Sequence, residues 1–394
     1  MKNLLFILLI LVGVNVFAQT SNNGNPIMAA LPFLDYDPNP RVVAMGEIGV
    51  VSSSQYKDAG LSQNPSLLAG ESRVAGISLA YSPWMRKLTD NLNLYGLKAF
   101  YSLGPKNTIG YSFTYFDYGK TMFTDENGMQ TGEWHPIEFF HQVTFARRIS
   151  KAISIGAGLK YIRSALALGQ IGMGISSAKN VNTFAFDLGG DYQKKYAISK
   201  NLDFNLQLAA VINNFGPKVT YSVDPEGPTE FIPTKLRLGI LANPDFYLTE
   251  DMRLNVDLAY QVEKHLVPTP PIYLNNSDVI EKGMDPDISI FRALYQSWYD
   301  APNGFKEEMN EIRHKLGGEI RLNYNDKLYA GIRGGKSKTH ESKGNFNYTT
   351  LGAGLGIYGF TLDFSSYLKK NSPLNRTWIL SLGYRTRLDH MFRF

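Results

Sequence analysis

Apolar and polar residues alternate along most of the chain with a period of two. In "FYSLGPKNTIGYSFTYFDYG", residues 100–119, Ile109, Tyr111, Phe113 and Tyr115 alternate with Gly110, Ser112 and Thr114. Successive side chains of a strand point to opposite faces, so this run predicts a strand with one bulky apolar face and one small or polar face. The pattern recurs. Ile153, Ile155, Ala157, Leu159 and Tyr161 oppose Ser154, Gly156, Gly158 and Lys160, and Leu316, Ile320, Leu322 and Tyr324 oppose Lys315, Glu319, Arg321 and Asn323. It predicts about fourteen strands. They fall near 73–81, 91–103, 108–118, 137–149, 152–163, 181–196, 202–215, 235–243, 252–263, 314–324, 327–335, 348–358, 360–368 and 377–388. Many of these are about nine to fourteen residues long. Globular strands usually run to about five or six, and a tilted membrane-crossing strand needs about nine to eleven.

The joins alternate in length. Short ones lie at 104–107, 150–151, 199–200, 248–251, 325–326 and 359. Long ones lie at 82–90, 119–136, 164–180, 216–234, 264–313, 336–347 and 369–376. Transmembrane barrels combine short periplasmic turns with long outer loops. The expectation is an all-β fold, an antiparallel transmembrane barrel of fourteen strands whose apolar faces, Tyr111, Phe113 and Tyr115 among them, meet lipid. An even strand number returns both termini to the periplasm and makes Gly104–Asn107 a periplasmic turn. In the last stretch Trp378, Leu380, Leu382, Tyr384, Leu388, Phe392 and Phe394 share one parity. A terminal aromatic residue on the lipid-facing parity resembles the end signal of outer-membrane barrels.

Two regions leave the pattern. Residues 19–72 are rich in Asn, Pro, Ser and Gly and precede the first strand. They are well placed to fold inside the barrel, residues 73–394, as a plug; a periplasmic arm is the alternative. The longest loop, 264–313, puts Ile288, Phe291, Leu294, Tyr295 and Trp298 at helical spacing. A long loop with its own amphipathic helix is often functional. Its aromatic face is expected either to dock a partner or to pack on the barrel rim.

The N-terminus changes the picture by giving an address. "MKNLLFILLILVGVNVFAQT" carries Lys2, an apolar stretch from Leu4 to Val14, and Val16-Phe17-Ala18 before Gln19. This predicts a cleavable signal peptide over 1–18. Beyond it no apolar run is long enough for a helical span. A net charge of +5 over 394 residues, with Lys and Arg scattered, gives no support to nucleic-acid binding. No cysteine is present, which removes disulfides, thiolate metal sites and a Cys nucleophile. The six histidines show no ligand spacing, and "GQIGMG" at 169–174 lies between two strands without a following helix. The inward carboxylates Asp187, Asp257, Glu319 and Asp363 are expected to pair with Lys160, Arg321, Arg333 and Arg385 rather than to act as acid and base. No enzyme, cofactor or metal is expected.

"ALPFLDYDPNPRVVAMGEIGVVSSSQYKDAGLSQNPSLLAG", residues 30–70, and the following "SPW" at 82–84 resemble the PorV family. The resemblance is strongest over about residues 30–165. Where that family has Pro-Asp-Ala-Arg and Asn-Pro-Ala, this chain reads Pro38-Asn39-Pro40-Arg41 and Asn64-Pro65-Ser66. The resemblance implies a FadL-like fourteen-stranded outer-membrane barrel of the type IX secretion system in Bacteroidota. It implies as partners the C-terminal signal domains of secreted proteins, an outer-membrane translocon, the sortase-like PorU, and membrane lipid or lipopolysaccharide. The function implied is a shuttle that carries cargo from translocon to attachment complex. A FadL-type transporter of hydrophobic small molecules and a purely structural barrel stay open. For partner docking the sequence offers Trp84, Met85 and Arg86 in the first long loop and Phe291, Tyr295 and Trp298 in the longest one.

Overall fold

Every strand expected from the alternation forms. The computed structural model describes residues 24–387 apart from 54–57, 59–60, 71–73, 125–126, 167–177, 276, 326 and 371. The expected leader, the Gly-rich 169–174 stretch and terminal Phe394 lie outside the described residues. We number the wall strands β1 (Val74–Pro83), β2 (Asn93–Ser102), β3 (Asn107–Asp117), β4 (Ile137–Arg148), β5 (Ile153–Ala165), β6 (Val181–Ser199) and β7 (Leu202–Phe215). They continue as β8 (Lys235–Tyr247), β9 (Met252–His265), β10 (Arg313–Tyr324), β11 (Leu328–Lys338), β12 (Tyr348–Ile357), β13 (Phe360–Leu368) and β14 (Trp378–Arg387).

Each strand pairs antiparallel with its chain neighbours, and β1 closes on β14 from Val74↔Arg387 to Tyr81↔Leu380. Closure satisfies the backbone N–H and C=O groups along the wall, the condition for crossing hydrocarbon. The alternation holds in space. In β3 Ile109, Tyr111, Phe113 and Tyr115 are on the outward side, while Thr108, Gly110, Ser112 and Thr114 are buried inside. In β14 Leu380, Leu382 and Tyr384 are exposed and Ile379 is buried.

The lumen holds the segment before β1. Two Asn-Pro pairs shape it. Asn39 caps α1 (Pro40–Ala44), its Oδ1 accepting from Arg41 N at 3.0 Å and Val42 N at 3.2 Å. Asn64 does the same for the 3₁₀ turn Pro65–Leu68, accepting from Ser66 N at 3.0 Å. Asn is a good N-cap, and Pro at the first helical position gives up an N–H that would have no partner.

Close approach to the wall needs glycine on both sides. Gly46 has a φ of +74°, and a Cβ at inward Gly335 would collide with the Met45–Gly46 main chain. Met45, Ile48, Val50 and Val51 then pack on Val211, Leu241 and Ala259. Leu61 and Leu68 pack on Phe100 and Ala146.

The segment crosses the whole lumen. Its Asn25 N–H bonds Ser342 O, at the long-loop end, at 2.7 Å, whereas Leu68 and Ala69 sit with Val74 where β1 begins. The wall starts and ends at the short-turn end, as an even strand number requires. Residue 25 does not, because the chain has traversed the interior before the wall begins.

The longest loop carries α2 (Ile290–Gln296) and α3 (Phe305–Asn310). Ser289 caps α2 by accepting from Arg292 N at 3.2 Å. The helix is shorter than the spacing predicts, so Ile288 and Trp298 lie beyond its ends. Its buried side is Ala293 and Gln296, and its aromatic side faces out.

Candidate functional site: the filled lumen and the long-loop mouth

Inward charges from the wall meet the inner segment in two ion networks. In the first, Arg41 Nη2 lies 2.9 Å from Asp257 and 2.8 Å from Glu319. Its Nη1 donates to Ser52 Oγ at 2.7 Å. Glu319 also holds Arg333 at 2.8 Å and Arg321 at 3.2 Å, and Arg333 reaches Asp363. In the second, Glu263 gathers Lys315 at 2.9 Å, Arg237 at 3.0 Å, Arg313 at 3.2 Å and Lys235 at 3.4 Å. Lys235 in turn holds Asp35 of the inner segment at 2.7 Å. Across the lumen Lys98 bonds Asp37 at 2.8 Å and Lys160 lies 2.8 Å from Asp187.

All of these groups are buried, Asp35 and Arg313 only partly, so each depends on its partners for the solvation it has lost. The expected pairing of Asp187, Glu319 and Asp363 with Lys160, Arg321 and Arg333 forms. Sequence reasoning missed Arg41 as the counter-ion of Asp257, and it missed Glu263 as a hub. Glu263 shares the parity of Asp257 and Gln261, which marks it as inward. Its cations become its neighbours only in register, through Arg237↔Glu263 and Glu263↔Arg313.

Above the networks, at the long-loop end, lies an aromatic cluster. Trp84 packs with Tyr36 at 4.7 Å between ring centroids, Tyr367 at 5.9 Å and Phe116 at 6.1 Å. Trp84 is 2% exposed, which corrects its expected role as a docking residue, because the inner segment brings Tyr36 against it. Met85, with a φ of +46°, is partly buried on the same cluster, and Arg86 Nη2 donates to Asn93 Oδ1 at 2.8 Å. Trp84→Ala is expected to cost about 3–5 kcal/mol, the range for removing a large core aromatic. Thermal unfolding followed by the heat-modifiable mobility of the folded barrel checks this.

The other three candidates sit elsewhere on the rim. Phe291 is 66% exposed, Tyr295 57% and Trp298 41%. Phe291 meets Phe215, at the end of β7, edge to face, with ring centroids 5.5 Å apart. Trp84 follows β1, so the structure places the six candidates in two groups on opposite sides of the fourteen-strand ring.

Beneath the aromatic face of the long loop, a polar cluster ties it down. Lys264 bonds Glu311 and lies 3.1 Å from Glu308, and Lys343 holds Glu307 at 2.6 Å and Glu311 at 2.9 Å. Asp300 accepts from Thr269 N at 3.3 Å. Burial, reinforced by the nearby Glu308 and Glu311, pushes its carboxyl up to about 6. A carboxyl raised above its unfolded value binds more protons in the native state. The contribution of Asp300 to loop stability is therefore fullest below the unfolded value near 4, declines between about 4 and 6, and is level above that, while Glu307, held below its usual range by Lys343, contributes in the opposite sense at lower pH. Limited proteolysis of the 266–312 loop across this window is expected to show faster cutting as pH rises. Asp300→Asn should flatten the profile.

Among the described residues no group of three or more His, Asp or Glu is arranged to hold a metal ion. Among the described histidines, His141 bonds the Tyr111 hydroxyl at 2.7 Å, His314 the Tyr260 hydroxyl at 2.6 Å, and His135 lies 2.7 Å from Asp117.

Comparison with known proteins adds three findings. No curated protein matches the sequence. Among solved structures, the toluene transporter TbuX of Ralstonia pickettii aligns over 89% of this chain and 98% of its own, with 13% identity and a TM-score of 0.38. The Pseudomonas putida toluene transporter TodX aligns over 89% and 98%, with 10% identity and a TM-score of 0.45. A Pseudomonas aeruginosa FadL homologue aligns over 92% and 99%, with 10% identity and a TM-score of 0.39. The model of the type IX secretion system protein PorV matches residues 18–272, more than half of the sequence. With that match on a closed barrel of membrane-crossing strands, the chain belongs to the PorV family of outer-membrane type IX secretion proteins.

Proposed function

We propose that this barrel binds the C-terminal signal domain of secreted cargo and carries it from the translocon to the sortase-like PorU in the attachment complex. The observation that carries the reading is a filled lumen beneath an exposed aromatic rim. The inner segment, held by Arg41, Asp35 and Asp37, acts as a permanent plug, so recognition happens at the long-loop end rather than through a pore. On this reading residues 1–18 direct export, the long loops face the cell exterior, and the outward apolar band meets lipid or lipopolysaccharide. The barrel positions its cargo and performs no chemistry on it.

Phe291, Tyr295 and Trp298 present an exposed aromatic surface, of which only Phe291 touches a ring of the wall, Phe215. Aromatic side chains of this kind anchor protein interfaces. Met85 and Arg86, across the ring, offer a second contact. A FadL-type transporter would need a continuous apolar passage, and the ion networks of Arg41 and Glu263 stand where that passage would run.

Phe291, Tyr295 and Trp298 replaced together by Ala should lower cargo capture about tenfold or more, as loss of an interface anchor does. Unfolding temperature should change little, because these rings are largely exposed and lose only the Phe215 and Lys264 contacts. The assay is cargo display on intact cells beside the barrel's abundance in the outer membrane. Normal display at normal abundance would refute this assignment.

A further inference from the structure

A cavity of about 290 Å³ opens at the long-loop mouth. A strap of inner-segment residues, 26–29, lines one side of it. The strap is tied at its ends, where Asn25 N donates to Ser342 O at 2.7 Å and Ala30 N donates to Phe231 O at 2.8 Å. Glu47 lines the cavity together with the rings of Tyr36, Phe346, Tyr348 and Tyr367. Glu47 has a φ of +64°, a conformation side chains of its kind seldom adopt. Its carboxylate accepts from the Tyr367 hydroxyl at 2.9 Å and also bonds the Tyr348 hydroxyl.

The charge pairing around this carboxylate is uneven. Lys315 Nζ stands 3.5 Å from Glu47 but 2.9 Å from Glu263, which it serves more closely. The cations that line the cavity are committed elsewhere, Arg313 to Glu263 at 3.2 Å, and Lys343 to Glu307 at 2.6 Å and Glu311 at 2.9 Å. A carboxylate offers about four lone-pair sites, so Glu47, with two tyrosine hydroxyls and one distant cation, retains acceptor capacity toward the cavity.

A carboxylate among aromatic faces is suited to a cation on an apolar stem. The rings attract the positive charge through their quadrupoles, and the carboxylate makes a charge-assisted hydrogen bond. The space fits one long side chain and excludes a folded domain. A fatty acid would bring its own carboxylate against Glu47.

We propose that this cavity binds the guanidinium or ammonium group of an Arg or Lys side chain on an extended peptide, with Glu47 as its counter-ion. That the peptide comes from cargo rests on the shuttle reading; the preference for a cation does not.

The test is calorimetric titration of the purified full-length barrel in detergent with Nα-acetyl-arginine methylamide and with its uncharged citrulline isostere. The arginine probe is expected to bind, and the citrulline probe to bind about tenfold more weakly or worse, the loss of one charge-assisted contact. Glu47→Gln should weaken the arginine probe by a similar factor while sparing the citrulline probe. Equal binding of the two probes, or no binding of the arginine probe, would overturn the proposal. Should Glu47→Gln fail to fold, Leu374→Lys, which places a cation in the same cavity, should block the arginine probe. Arginine binding without capture of any cargo domain would remove the peptide source and the shuttle reading together. Cargo capture without arginine binding would remove the cation site alone.

Discussion

Glu263→Ala is expected to destabilise the barrel more than any other single substitution in the wall. Four cations lie within 3.4 Å of this carboxylate, all from β8 and β10, the two strands that flank it. Removing one partner of a buried ion pair costs about 3–5 kcal/mol, because the partner left behind is charged, desolvated and unpaired. Here four groups lose their shared anion at once, so the upper end of that range is expected. The effect should appear as poor assembly into the outer membrane and a lower unfolding temperature of what does assemble. Glu133→Ala makes the control. Its pair with Lys120 is exposed, at 43% and 64%, and its loss should cost less than about 1 kcal/mol. Equal behaviour of the two variants would mean that Glu263 is not a structural hub.

Arg41→Glu is expected to open the lumen. The substitution sets a third negative charge against Asp257 and Glu319, which now lie 2.9 Å and 2.8 Å from the Arg41 guanidinium. Like charges in a poorly solvated site repel strongly. The wall should survive, because its closure depends on its own backbone ladder. The inner segment should leave its seat. In planar bilayers the parent barrel should be electrically silent and Arg41→Glu should give conducting steps. A silent Arg41→Glu barrel would show that the segment keeps its seat without Arg41, through Asp35 on Lys235, Asp37 on Lys98 and the packing of Met45, Ile48, Val50 and Val51 on Val211, Leu241 and Ala259.

The wall was legible in the sequence because a period of two survives wherever one face meets lipid and the other a polar interior. The strand expected at 202–215 is β7 to the residue. The one expected at 181–196 runs on to Ser199, where it pairs with Leu202 across a tight turn. The interior was legible as a set of inward charges and a segment of the right length to meet them. Its pairing was not. Arg41 is 216 residues from Asp257 and 278 from Glu319, and no local pattern joins positions that far apart.

The rim was read least well, for a physical reason. Trp84 and Trp298 both stand in long loops, and only the tertiary fold decides which of them is covered. Tyr36 covers the first, whereas the second keeps 41% of its surface and sits with Lys264 5.6 Å from its ring. The spacing of α2 located its aromatic stripe and left open which side packs. The side that packs carries Ala293 and Gln296.

The most direct test of the account is to affinity-purify the tagged barrel from mildly solubilised outer membranes and identify the co-purifying chains by mass spectrometry. Secreted proteins that share a C-terminal domain, together with the translocon or a sortase-like protease, are expected to co-purify, and to be lost when Phe291, Tyr295 and Trp298 are replaced by Ala. A barrel recovered without such chains, carrying fatty acid or another hydrophobic small molecule instead, would contradict the shuttle reading.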